Sequence, residues 1–170
     1  EPIVKAQAGI LQSSKKLGVD HAYEEKLIQL IDQSTLDAVL LLGMDYPYDE
    51  DGNCLKEKAK FYVPNDHVLG LSKKFAHIIP ACSIHPARKD AIEELDRCAD
   101  QGAKVLKLLP NCHNVDCSDN RYRTFWERLA KLNMPFLAHT GGEFSVPVLN
   151  EKFADPRILR LPLECGVKVI

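Results

Sequence analysis

Apolar residues along the chain fall into five short, nearly unbroken runs, at 37–44, 77–84, 103–109, 134–139 and 166–170. Each carries Val, Ile, Leu or Phe on both parities, the pattern of a strand buried on both faces in a parallel sheet. The segments between them change period. Asp20 is placed to cap a helix running to about Gln33, with Leu27, Leu30 and Ile31 on one stripe, and Asn65 or Asp66 to cap a second with Val68, Leu71 and Phe75 inward. Pro86 opens a third, whose inner face is Ala91, Ile92, Leu95, Cys98 and Ala99 and whose end is Gly102. Tyr122, Phe125, Trp126, Leu129 and Ala130 follow the i, i+3, i+4, i+7, i+8 template of a fourth, with Asp119 as its cap. Asp155-Pro156 begins a fifth that contains Pro162.

Strand and helix in strict alternation predict an α/β fold with a parallel sheet. Strand starts at 37, 77, 103, 134 and 166 lie about 32 residues apart, close to the roughly 31 residues per unit of a (β/α)8 TIM barrel of about 250 residues. A flavodoxin-like open parallel sheet of five strands fits the same spacing. The expectation is a single barrel-type segment over 1–170 with about five strands. The chain opens on Glu1-Pro2 and ends inside an apolar run, so it is expected to be part of a longer protein. Residues 45–64, which include Tyr46-Pro47-Tyr48-Asp49, read as one extended active-site or partner-binding loop.

Charge changes the picture by exclusion. Lys and Arg number 22 against 24 Asp and Glu, a net charge of −2, which offers neither a nucleic-acid footprint nor a polycationic membrane face. The longest clean apolar run, from Ala38 to Met44, is far too short for a membrane span of about 18 residues or more. Six irregularly spaced cysteines suit free thiols in a reducing, cytoplasmic setting rather than a disulfide framework. The expected partners are a small-molecule substrate and, through open sheet edges, other copies of the chain.

In both candidate folds, chemistry gathers where strands end. Those ends read Gly43-Met44-Asp45, Ser83-Ile84-His85-Pro86, Lys107-Leu108-Leu109-Pro110-Asn111 and Ala138-His139-Thr140-Gly141-Gly142. Four successive strands thus bring a polar or ionisable residue to one rim. Lys107 shares a strand face with Val105 and Leu109 and needs an anion, an ion pair or a chemical modification, with Asp45 or Glu143 as the structural partner. His139 is followed by a glycine pair that lets backbone approach a ligand closely. Cys112, His113 and Cys117 share one loop but lack a second Cys/His pair at zinc-finger distance, so they read as an ordinary loop. No nucleotide-binding glycine motif, serine-hydrolase elbow or HExxH is present.

From 77 to 170 the chain resembles the amidohydrolase superfamily, in its amidohydrolase-related branch of metal-dependent barrel hydrolases and decarboxylases. The resemblance rests on Cys82-Ser83-Ile84-His85-Pro86, on 102–110 around Lys107, on 135–141 around His139, and on Asp155-Pro156-Arg157 through 166–170. It implies a TIM barrel binding a divalent metal ion, zinc or manganese. His139 matches the fifth-strand histidine ligand, and Lys107 falls where some members carry a carbamylated, metal-bridging lysine. The family's H-x-H pair is absent. By this resemblance Lys107 is the candidate catalytic residue, and His85, Asn111 and Asp45 are candidates for substrate binding. The implied activity is hydrolysis of a small amide, lactone or ester. Non-oxidative decarboxylation of a small carboxylic acid and a non-catalytic barrel binding module are the alternatives.

Overall fold

The computed structural model describes residues 9–170, which fall into two compact units that divide after Val39. In the first, α1 (Ser13–Leu17) and α2 (Val19–Asp32) are joined at Gly18, whose φ of 83° lies in the left-handed region that favours glycine. Gly18, not Asp20, takes the N-cap position of α2. Ala22 and Ile31 are buried, whereas Leu30 of the expected apolar stripe remains 53% exposed.

A four-stranded sheet of order β1-β2-β3-β4 is formed by Val39–Leu42, Ile78–Cys82, Val105–Leu108 and Phe136–Ala138, and from Leu40 onward it belongs to the second unit. β2 pairs parallel with β3 through Ala81↔Val105 and Cys82↔Leu106. β3 pairs parallel with β4 through Leu106↔Phe136, Lys107↔Leu137 and Leu108↔Ala138. The expected strand at 166–170 is reduced to a single parallel bridge, Phe136↔Val169, with Phe136 N–H donating to Lys168 O (2.8 Å) and Ala138 N–H to Ile170 O (3.1 Å). The order runs sequentially with no reversal, as in an arc of a (β/α)8 barrel and unlike the flavodoxin-like alternative.

The helices lie where the period changed, with shifted starts. α3 is Asn65–Lys74 and has Pro64 as its N-cap. α4 is Ala91–Asp100. Pro86 does not open it, because the chain first turns at Arg88, whose N–H donates to His85 O (3.1 Å). A four-residue helix, α5 (Pro110–His113), follows β3. Asp119 caps a 3-10 turn (Asn120–Tyr122) by accepting from Arg121 N–H, and that turn runs into α6, Arg123–Lys131. Two 3-10 turns, Glu151–Ala154 and Pro156–Leu159, lead into α7 (Arg160–Glu164). Pro162 is tolerated because it lies in the first turn of α7, where its missing N–H has no intrahelical partner to lose.

The core fills one face of the sheet. Cys82, Leu106, Leu108 and Phe136 pack there against Leu95 and Cys98 of α4, Phe125, Trp126 and Leu129 of α6, and Leu161 of α7. Trp126 stacks on Phe136 with ring centroids 5.1 Å apart, and its indole N–H donates to Cys117 O (3.2 Å). The other face carries Val105, Lys107 and Leu137, in the register given above. That register brings the ends of β2, β3 and β4 to one rim, and Gly43 N–H, which donates to Ala81 O (2.8 Å), sets the end of β1 beside them. No helix among the described residues is long and apolar enough to cross a membrane.

Candidate functional site

Three of the four strand ends are tied together by a closed cycle of hydrogen bonds. Asp45 follows β1, and its Oδ2 accepts from the His85 backbone N–H (2.9 Å) beyond β2. The His85 ring reaches on to His113 O (2.8 Å) after β3, and the His113 ring returns to Asp45 O (3.2 Å). Backbone N–H groups fix both tautomers, since they can only donate. Ala87 N–H donates to His85 Nδ1 (3.1 Å) and Leu109 N–H donates to His113 Nδ1 (2.9 Å), so each Nε2 carries the proton. The two imidazoles are neutral and almost entirely buried. Burial lowers the pKa of His85 to about 3, helped by neighbouring His113, and that of His113 to about 4, helped by the Lys107 charge.

His85, expected to bind substrate, therefore has both ring nitrogens engaged by backbone and acts as framework. Asp45 is drawn into the same frame. Its Oδ1 accepts from Tyr46 N–H (2.8 Å) and its Oδ2 from Arg88 Nη1 (3.2 Å) as well as His85. Burial pushes its carboxyl upward against the pull of the His85 N–H and Arg88. Asp45 is thus paired with Arg88 rather than with Lys107. His113, read from the sequence as part of an ordinary loop, is the missed member. Its signal was the offset of four from Leu109, which closes a ring onto the strand-end backbone.

A second group forms where β3 and β4 end. Lys107 is half-buried on the sheet face it shares with Leu137; burial lowers its pKa and the Glu143 carboxylate partly restores it. His139 N–H donates to Leu108 O (3.0 Å), placing the imidazole one residue beyond β4. Its Nε2 lies 3.3 Å from Gly142 O and 3.7 Å from Glu143 Oε2. Glu143 Oε1 accepts from the Ser145 hydroxyl and N–H, both at 2.5 Å, and these bonds, led by the hydroxyl, lower its pKa to about 2. Asn111, fully buried in α5, donates from Nδ2 to Gly141 O (3.4 Å), while its Oδ1 has no partner among the described residues. The structure thus brings Lys107, His139 and Asn111 to one rim with Glu143, while Asp45 and His85 lie in the hydrogen-bonded cycle with His113.

Parallel strands in sequential order, with ionisable side chains gathered at their carboxyl ends, define the class: a (β/α)-barrel scaffold carrying a strand-end site. Within that class the match is specific. The amidohydrolase family model covers residues 56–161, more than half of the chain, and the chain belongs to that family. No curated protein gives a significant match. Membership brings hydrolase- or decarboxylase-type chemistry, typically with divalent metals. Among the described residues, however, no group of three or more His, Cys, Asp or Glu side chains could hold a metal ion. His139 and Glu143 offer two donors without a third, so these residues do not by themselves make a metal centre. The chemistry open to them is that of an amine, an imidazole and a carboxylate.

Proposed function

We propose that this chain carries the carbonyl-handling part of a hydrolase for a small amide, lactone or ester. The observation that carries the reading is the convergence of Lys107 and His139, with Glu143 beside them, at adjacent parallel strand ends in a member of this family. The Lys107 ammonium donates to the substrate carbonyl oxygen and holds the negative charge that develops there. His139 accepts a proton from the attacking water and delivers it to the leaving nitrogen or oxygen. Glu143, ionised throughout, steadies the imidazolium between those steps.

The test is turnover of anilides, lactones and aryl esters by the full chain, with and without added zinc or manganese. His139→Gln and Lys107→Met are each expected to lower kcat by about 100-fold or more. Turnover unchanged by both replacements, or no turnover of any of these substrates under either condition, overturns the reading.

A further inference from the structure

A cleft in the 40–170 unit lies on the Arg88 side of Asp45, and the reaction above makes no use of it. Its volume is about 390 Å³, within the range of about 300–1,000 Å³ common to small-molecule sites. One wall is the start of the ten-residue helix α3, whose N-cap is Pro64. Proline has no side-chain acceptor, and the N–H groups of Asn65 and Asp66 make no hydrogen bond among the described residues. Ser83 forms another wall. Asn65 takes both its backbone groups, its N–H donating to Oδ1 (2.8 Å) and its C=O accepting from Nδ2 (3.1 Å). Its hydroxyl, on a residue only 1% exposed, has no partner. Tyr62 lines the entrance, with one ring face stacked on Tyr46 at 4.0 Å.

These donors are free to serve an acceptor in the cleft, and the surrounding charges decide its kind. Arg88 is held by Asp90 and Asp45, and Arg97 by Glu94 and Asp66. The cleft is therefore lined by two guanidinium groups and three carboxylates, those of Asp45, Asp66 and Glu94. An anion would meet the surplus carboxylate, and a cation would face both arginines and the positive end of α3. A neutral group with both polarities meets neither penalty.

We propose that this cleft is a binding site for a neutral carboxamide borne on a planar ring. The amide oxygen accepts from the first-turn N–H groups of α3 and from the Ser83 hydroxyl. The amide NH₂ donates to the carboxylates opposite, and the ring lies along Tyr62.

Benzamide, benzoate and benzamidine share one shape in three charge states, which makes them the probes. Each is titrated into the isotope-labelled full chain while the backbone amide resonances of Asn65, Asp66 and Ser83 are followed. Benzamide is expected to shift these resonances with a dissociation constant in the millimolar range, as befits so small a ligand, and benzoate and benzamidine more weakly. Ser83→Ala removes a hydroxyl that has no partner, so it should leave the melting temperature unchanged and weaken benzamide binding about fivefold. Tyr62→Leu, at a residue 44% exposed, gives an independent reading through the ring. The proposal is overturned if benzamide leaves the three resonances in place, if benzoate or benzamidine binds there as tightly, or if neither variant weakens binding.

Discussion

Replacing His113 by phenylalanine should remove both a structural bridge and part of the pH dependence of folding. The ring is 1% exposed and satisfies two backbone groups, accepting from Leu109 N–H (2.9 Å) and donating to Asp45 O (3.2 Å). Phenylalanine fills comparable space but leaves both groups unpaired, a loss of about 1–3 kcal/mol each. The pH dependence follows from the depressed pKa values. A histidine whose folded pKa lies below its usual value near 6.5 contributes stability that is present above that value and is lost as pH falls toward the folded pKa. For His113, with a folded pKa of about 4, lowering pH from 7.5 to 5 should cost about 2 kcal/mol. His85, with a folded pKa of about 3, should cost a similar amount, about 2 kcal/mol. Urea unfolding at the two pH values measures both effects. The unaltered chain should lose about 4 kcal/mol from this pair on acidification, and His113→Phe about half of that from a lower starting point. A flat stability between pH 7.5 and 5, or the same slope in variant and parent, would refute the claim that these imidazoles are held neutral in the folded state.

Two further substitutions probe the frame around Asp45. A Cβ added at Gly43 would lie 2.9 Å from Asn65 Oδ1 and 3.1 Å from Ser83 N, so Gly43→Ala should cost about 1–3 kcal/mol by displacing the Asn65 side chain, read as a lower urea midpoint at unchanged slope. Arg88→Ala leaves the Asp45 carboxylate, whose side chain is 3% exposed, without its cation. It should cost about 3–5 kcal/mol at pH 7, and Asp45→Asn should recover much of this in the double variant; a loss that stays the same with Asn at 45 would show that the ion pair is not the cause.

Elements were legible in the sequence where burial leaves a periodic mark, and obscure where polar bonding decides. The α6 stripe of Phe125, Trp126 and Leu129 and the inner face of α4 at Ala91, Leu95 and Cys98 are buried as their spacing predicts. The start of α4 was misplaced because Pro86 is as good a turn former as a helix opener, and the His85–Arg88 turn uses it as the former. The strand at 166–170 has the composition of its neighbours, but among the described residues it pairs only with β4, through one bridge. Leu30 remained exposed because helical spacing identifies a stripe without showing how much of it a neighbour covers.

The candidate site divides along the same line. That Lys107, Asn111 and His139 share a rim follows from strand alternation and sequential pairing, both of which sequence can supply. That His85 and Asp45 belong to the framework depends on where each lone pair and proton goes, and no residue type or spacing encodes that. A histidine at a strand end looks the same whether its nitrogens meet a substrate or backbone. Here Ala87 N–H and His113 O occupy both nitrogens of His85, while His139 retains a partly exposed ring beside Glu143. The two kinds of histidine should therefore fail differently. Loss of His85 or His113 should loosen the loops that carry the rim and lower stability first, whereas loss of His139 should leave the fold in place and, on the function proposed above, remove the proton acceptor.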